Sequence, residues 1–260
     1  MSSNLDSSAK LAPFESALFL LESAEERMAD LDSLLAAFMK ENGPNIVIRN
    51  DPQSGEYIYS MRFQPVSWRM RKLAGDIFSD IRHALDHAFS DAALQINPSL
   101  PPDIHFPVAS SVRHLEDQMK RKCRGVDPAI LESCRALEPY QHGKGEFLWV
   151  VSRIAGLSKH RNLSRIPLVH DIREIFIPDP QPEGFRVFKR AGASGDELEF
   201  ARSTADLNRK IAVTTEIVVD TVAALAPLNG KTPVRDIIKM TESVVMRLKS
   251  ETERILHARS

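Results

Sequence analysis

The stretch from about residue 66 to residue 94 constrains the fold of this chain more than any other. Apolar residues recur in it with the period of an α-helix, at Leu73, Ile77, Ile81, Leu85, Ala88 and Ala92. A long helix with one apolar face is stable only when that face is buried against other elements. The sequence therefore predicts a fold built around one long amphipathic helix.

Five further segments carry helical spacing or helix-start signals. They cover residues 18–38, 111–122, 128–137, 147–157 and 232–255. Asp127 and Pro128 open the third of these segments, as an N-cap and a first helical residue. The chain is therefore predicted to be mainly helical.

Shorter runs have the residue types and the alternation of β-strands. Residues 46–48 and 57–63 flank a loop rich in turn residues, 51–55, and this arrangement predicts a hairpin. Further β-type runs lie at 163–169, 172–177, 185–188, 197–201 and 210–219. The predicted class is α+β: a mainly helical bundle with an antiparallel sheet formed by an N-terminal hairpin and C-terminal strands.

The domain organisation follows from the absence of any internal repeat or low-complexity linker. We expect residues 1–12 to be disordered and residues 13–260 to form a single α+β domain. Two sub-lobes are the alternative: a helical core with the hairpin, 13–161, and a β-rich lobe with the last helix, 162–260. The pattern leaves open whether the hairpin shares a sheet with the later strands.

Composition narrows the class of protein. The chain has 34 basic and 35 acidic residues and a net charge of -1, so a polyanion would have to bind a local patch. The best such patches are the basic residues around Trp68 and the Lys120-Arg121-Lys122 run with Arg124. Two isolated cysteines make no disulfide framework, and the sequence pattern leads us to expect neither a signal peptide nor a membrane-spanning run. We therefore expect a cytoplasmic protein that does not interact with membranes.

The central helix also carries a polar stripe. On an ideal helix, Asp76, Asp80, His83 and His87 lie within about 60° of one another. This stripe has two interpretations. It is either a solvated face or a metal site that uses the i, i+4 histidine pair, with His160 as a further ligand.

Arg82, His83 and His87 resemble the R-x4-6-H motif of the HEPN superfamily. That family includes metal-independent ribonucleases of toxin–antitoxin, phage-defence and CRISPR-associated systems. The resemblance implies that His87 is the acid/base, that Arg82 clamps the phosphate and that His83 is a positioning or auxiliary group. It also implies an RNA substrate, a homodimer, no cofactor and no metal, while an antitoxin or other protein partner stays unknown.

Several separate segments are together similar to a family of uncharacterised bacterial and phage proteins. They are the helix at 75–87, Phe106-Pro107-Val108, Pro139-Tyr140-Gln141 and Lys159-His160-Arg161. In this interpretation Lys159, His160, Arg161 and Asp86 bind the substrate.

Three functions remain open at this point: a metal-independent endoribonuclease, a metal-binding protein, and a non-catalytic module that binds RNA or a nucleotide or serves as a scaffold. Arg82 and His87 lie about 140° apart on a straight helix, so catalysis by both requires a bend or a second subunit. A cleft shared by Arg82, His87 and residues 159–161 would favour catalysis. A buried Arg82 paired with a carboxylate would favour the non-catalytic module.

Overall fold

The computed structural model describes residues 11–43, 45–159, 168–176, 184–191, 197–207, 212–219 and 234–260. Six helices and six strands lie in these ranges. The helices are α1 (Glu15–Glu41), α2 (Trp68–Ile96), α3 (Val112–Lys122), α4 (Pro128–Ala136), α5 (Glu146–Lys159) and α6 (Val234–Arg259). The strands are β1 (Asn45–Asn50), β2 (Tyr57–Arg62), β3 (Leu168–Phe176), β4 (Arg186–Ala191), β5 (Glu197–Ser203) and β6 (Ala212–Val219).

These elements confirm the predicted α+β, mainly helical class. The starts of two helices follow the capping chemistry in the sequence. The Asp127 side chain accepts a hydrogen bond from the Ala129 N–H at 2.8 Å, and Pro128 is the first residue of α4. Ser111 caps α3 in the same way, through the N–H of His114 at 3.3 Å. Both helices therefore begin where local side chains satisfy their first N–H groups.

The hairpin and the later strands share one antiparallel sheet, with the strand order β1-β2-β5-β4. Met61 in β2 pairs with Ile46 in β1 on one side and with Leu198 in β5 on the other. The strands β3 and β6 form a separate two-stranded antiparallel sheet. The runs predicted at 163–169 and 172–177 correspond to the single strand β3, and residues 163–167 and 177 lie outside the described residues.

The chain divides into two compact units. The helical unit comprises Met1–Ala29, Lys72–Ile166 and Thr221–Ser260, and the sheet unit comprises Asp30–Arg71 and Pro167–Asp220. The hairpin therefore groups with the later strands, and α6 groups with the helical unit, whereas the predicted sub-lobes divide at residues 161 and 162. The predicted disorder of residues 1–12 concerns residues of which only Leu11 and Ala12 are described.

Each unit has its own core. In the helical unit, α2 buries the apolar face that its sequence period predicts, and Ile77, Ile81, Leu85, Ala88 and Ala92 are fully buried. In the sheet unit, the core consists of Tyr59, Met61, Phe200, Ala201, Leu207 and Val213. None of the helices in the described ranges combines the length and the apolar composition that a membrane span requires.

Candidate functional site

Arg82 on α2 is the centre of a polar cluster inside the helical unit. Its Nη2 donates to Asp86 Oδ1 at 2.7 Å and to the Phe106 carbonyl at 2.8 Å. Its Nη1 donates to Ser152 Oγ at 2.9 Å. One guanidinium thus joins α2 to α5 and to the segment 101–108, which we call the Phe106 segment.

Asp86 completes this cluster, because both of its oxygens face the Phe106 segment. Oδ1 accepts the Phe106 N–H at 2.9 Å, and Oδ2 lies 3.4 Å from Nδ1 of His105. The Phe106 ring also packs edge to face on Phe89, with centroids 5.9 Å apart. The backbone of Phe106 is therefore held at both its N–H and its carbonyl, and its side chain is held as well.

The Arg82–Asp86 ion pair is largely buried, with side-chain exposures of 14% and 11%. Burial lowers the pKa of the Arg82 guanidinium, and the charge and hydrogen bond of Asp86 oppose that shift. Because the remaining contacts of Arg82 also go to protein oxygens, its charge is compensated within the fold. This is the arrangement of a structural ion pair.

A cavity of about 600 Å³ opens beside this ion pair, and we call it the Arg82–Asp86 cavity. Its apolar walls come from Ile104, Phe106, Pro107 and Val108. Its polar lining includes Arg82, Asp86, Asp103, His105, Gln118 and Lys122. A concave site of this size, with apolar walls and a few convergent polar groups, is typical of small-ligand sites.

His87 does not join this site. Its side chain is exposed, and its Nδ1 lies 3.1 Å from Ser16 Oγ at the start of α1. Arg82 instead lies against α5 and the Phe106 segment, as expected for two residues about 140° apart on a helix. His83 is half-buried and, like His87, does not line the Arg82–Asp86 cavity. The structure thus separates Arg82 from the two histidines of the R-x4-6-H motif.

The aspartates of the polar stripe form ion pairs with different partners. Asp76 pairs with Lys72, one turn earlier on α2. Asp80 pairs with Arg27 on α1. In the part of the chain that the structure describes, no three histidine, cysteine or acidic side chains lie close enough together to hold a metal ion. The geometry of the described residues therefore gives the metal-site interpretation no support.

The predicted substrate-binding residues have different outcomes. Asp86 belongs to the cavity, although its oxygens are bound to protein groups. Lys159 is the last residue of α5, seven residues after Ser152. His160 and Arg161 lie outside the described residues.

Four polar cavity residues were not predicted from sequence: Asp103, His105, Gln118 and Ser152. His105 lies in a proline-rich segment without periodicity, and Ser152 follows the apolar run 147–151 of α5. A polar residue beside an apolar run is a signal for a buried partner, and it identifies Ser152 in retrospect. The similarity of residues 106–108 to the uncharacterised family pointed to the Phe106 segment but not to His105.

No protein-family model matches this chain, and neither does any curated protein or solved structure in the comparisons made.

Proposed function

We propose that the helical unit is a non-catalytic module that binds a nucleotide of single-stranded RNA in the Arg82–Asp86 cavity. One observation carries this proposal: the cavity opens beside the exposed basic end of α3. Lys122 lines the cavity, and it is also part of the basic last turn Lys120-Arg121-Lys122. A basic patch next to a pocket of nucleotide size suits one RNA nucleotide. The patch would bind the backbone phosphate, and the base would enter the pocket.

The non-catalytic part of the proposal rests on Arg82. A phosphate clamp needs guanidinium N–H groups that face the substrate. Arg82 donates three hydrogen bonds to Asp86, Phe106 and Ser152, and its side chain is largely buried. His87 interacts with Ser16, away from the cavity. These contacts favour a structural role for Arg82.

Single-stranded RNA is the proposed ligand because of two features. The first is the HEPN resemblance of Arg82, His83 and His87, which implies an RNA ligand. The second is the group of exposed basic residues at the end of α3, which provides the local positive patch that a chain of net charge -1 requires. The apolar walls of the cavity provide surfaces against which a base can pack. We also propose a cytoplasmic location, which the two free, buried cysteines support.

Two matched valine variants test the cavity as the binding site. Val108→Trp places an indole at a residue that lines the cavity, whereas Val112→Trp changes an exposed valine that does not line it. We expect Val108→Trp to weaken binding of a fluorescent RNA by roughly tenfold or more, since a filled pocket excludes the base. Val112→Trp should bind like the unmodified chain, as measured by fluorescence anisotropy.

Gln118→Ala provides a second cavity variant with little risk to folding, and Asp117→Ala on the exposed side of α3 is its control. If Val108→Trp, Gln118→Ala and the unmodified chain bound RNA with equal affinity, the RNA would bind outside the Arg82–Asp86 cavity. No RNA binding at all would overturn the proposal.

The endoribonuclease interpretation makes a different prediction for the same protein. If Arg82 and His87 act in catalysis, the chain cleaves RNA in EDTA, and Arg82→Lys and His87→Ala both abolish cleavage. We expect no such cleavage, and we expect His87→Ala to bind RNA normally. In a separate test, sedimentation velocity measures whether the protein forms the homodimer that the HEPN resemblance implies. If the unmodified chain cleaved RNA and both variants lost this activity, the protein would be a nuclease and not a non-catalytic binding module.

A further inference from the structure

His105 and Lys122 are the cavity groups best placed to meet an anion. The His105 side chain is 68% exposed, and Lys122 is exposed at the last position of α3. Arg82, by contrast, is largely buried and donates three hydrogen bonds to protein oxygens. Positive charge that can reach a ligand therefore lies at the rim of the cavity.

The charge of the cavity lining depends on His105. Among the described residues, Arg82 and Asp86 of α2, Asp103 of the Phe106 segment and Lys122 of α3 are the other charged side chains that line it. Two are basic and two are acidic, while the α5 contribution, Ser152, is neutral. The lining is thus balanced when His105 is neutral and carries one net positive charge when His105 is protonated.

Asp86 also lies beside the His105 ring. Its Oδ2 is 3.4 Å from His105 Nδ1, so a proton on that nitrogen faces the carboxylate. A protonated ring then directs its second N–H, at Nε2, to another acceptor. Charge-assisted hydrogen bonds of this kind are stronger than neutral ones.

We propose that His105 and Lys122 form the anion-binding rim of the Arg82–Asp86 cavity, and that protonation of His105 strengthens binding of a phosphodiester. This inference rests on the proposed RNA-binding function. It assigns the phosphate contact to His105 and Lys122 and leaves Arg82 as part of the protein framework.

The experiment measures the affinity of the full chain for a short uridine-only RNA at constant ionic strength, at about pH 5.5 and about pH 8, the range over which a histidine changes charge. The phosphodiester groups of this RNA keep the same charge across that range. We expect the unmodified chain to bind roughly tenfold more tightly at the lower pH, through one gained charge-assisted hydrogen bond. His105→Gln should remove this pH dependence and bind as weakly as the unmodified chain does at the higher pH.

Three further variants extend the test, and two of them, His114→Gln and Lys120→Gln, are matched controls. His114→Gln changes another histidine that lies on α3 and does not line the cavity, so its binding should keep the pH dependence. Lys122→Gln should weaken binding severalfold at both pH values, and Lys120→Gln on the same turn should weaken it less, because Lys120 does not line the cavity.

The outcomes separate the two proposals. If the affinity of the unmodified chain does not change with pH, the anion-binding rim is overturned and RNA binding is left intact. The same holds if His105→Gln keeps the pH dependence. His105→Ala repeats the test with a smaller side chain. No binding by the unmodified chain at either pH overturns both proposals.

Discussion

At the scale of the residue, α2 contains two ion pairs with the same spacing and different surroundings. Lys72 and Asp76 form an exposed pair, with side-chain exposures of 52% and 34%. Arg82 and Asp86 form a largely buried one, with further bonds from both side chains to the Phe106 backbone. An exposed pair is screened by water, whereas loss of one partner from a buried pair leaves an uncompensated charge.

This contrast predicts very different costs for the same substitution. Asp86→Ala should lower the free energy of unfolding by about 3 kcal/mol or more, because it removes the charge that compensates the buried Arg82 guanidinium and leaves the Phe106 N–H without its acceptor. Asp76→Ala should change it by no more than about 0.5 kcal/mol. Urea unfolding followed by circular dichroism measures both. Equal losses would show that the Arg82–Asp86 pair does not stabilise the fold.

At the scale of the element, the start of α4 combines two functions in one side chain. Asp127 accepts the Ala129 N–H as an N-cap, and it also pairs with Arg259 near the end of α6. Ser111 at the start of α3 is bonded only locally, to the N–H of the third helical residue, His114, among the contacts described. Asp127 therefore connects a local signal in the sequence to a partner far along the chain.

These two caps predict an order of stabilities. Ser111→Ala and Asp127→Ala should each cost about 1 kcal/mol for the lost cap, and Asp127→Ala should cost more because the ion pair is lost as well. Asp127→Asn keeps the cap and should cost less than Asp127→Ala. Thermal denaturation of the three variants measures this order. Equal melting temperatures for Asp127→Asn and Asp127→Ala would show that the cap contributes nothing.

At the scale of the whole molecule, both compact units are assembled from separate stretches of the chain. The sheet unit pairs β2 from the first quarter of the sequence with β5 from beyond residue 190. The helical unit includes α6, whose buried residues include Ile237, Val245, Leu248 and Ile255. Each unit therefore requires residues from both halves of the sequence.

A cut between residues 161 and 162 tests this interleaving. The fragment 13–161 retains the hairpin without β5 and loses α6. The fragment 162–260 retains β5 without β2, and α6 without the other helices of the helical unit. We expect neither fragment alone to show a cooperative thermal transition, because each leaves apolar faces uncovered. The uncut chain is the control. A cooperative transition in either isolated fragment would show that the sub-lobes at 13–161 and 162–260 fold independently.

Much of the fold was predictable because its causes are local. The period of α2, the turn residues of the hairpin and the Asp127-Pro128 start of α4 depend on neighbours within a few positions, and the structure confirms all three. The angular separation of Arg82 and His87 is also a local property, and it explains why the structure does not bring them together.

The candidate site depended on tertiary structure, because the partners of Arg82 are remote in sequence. Phe106 lies 24 positions from Arg82, and Ser152 lies 70 positions away. No periodicity relates such residues. An arginine with an aspartate four positions later also looks the same in sequence whether the pair is exposed or buried. Sequence thus determined the helices, the hairpin and the presence of Arg82, whereas packing between distant segments decided that Arg82 is buried, that His105 lies beside Asp86 and that a cavity opens there.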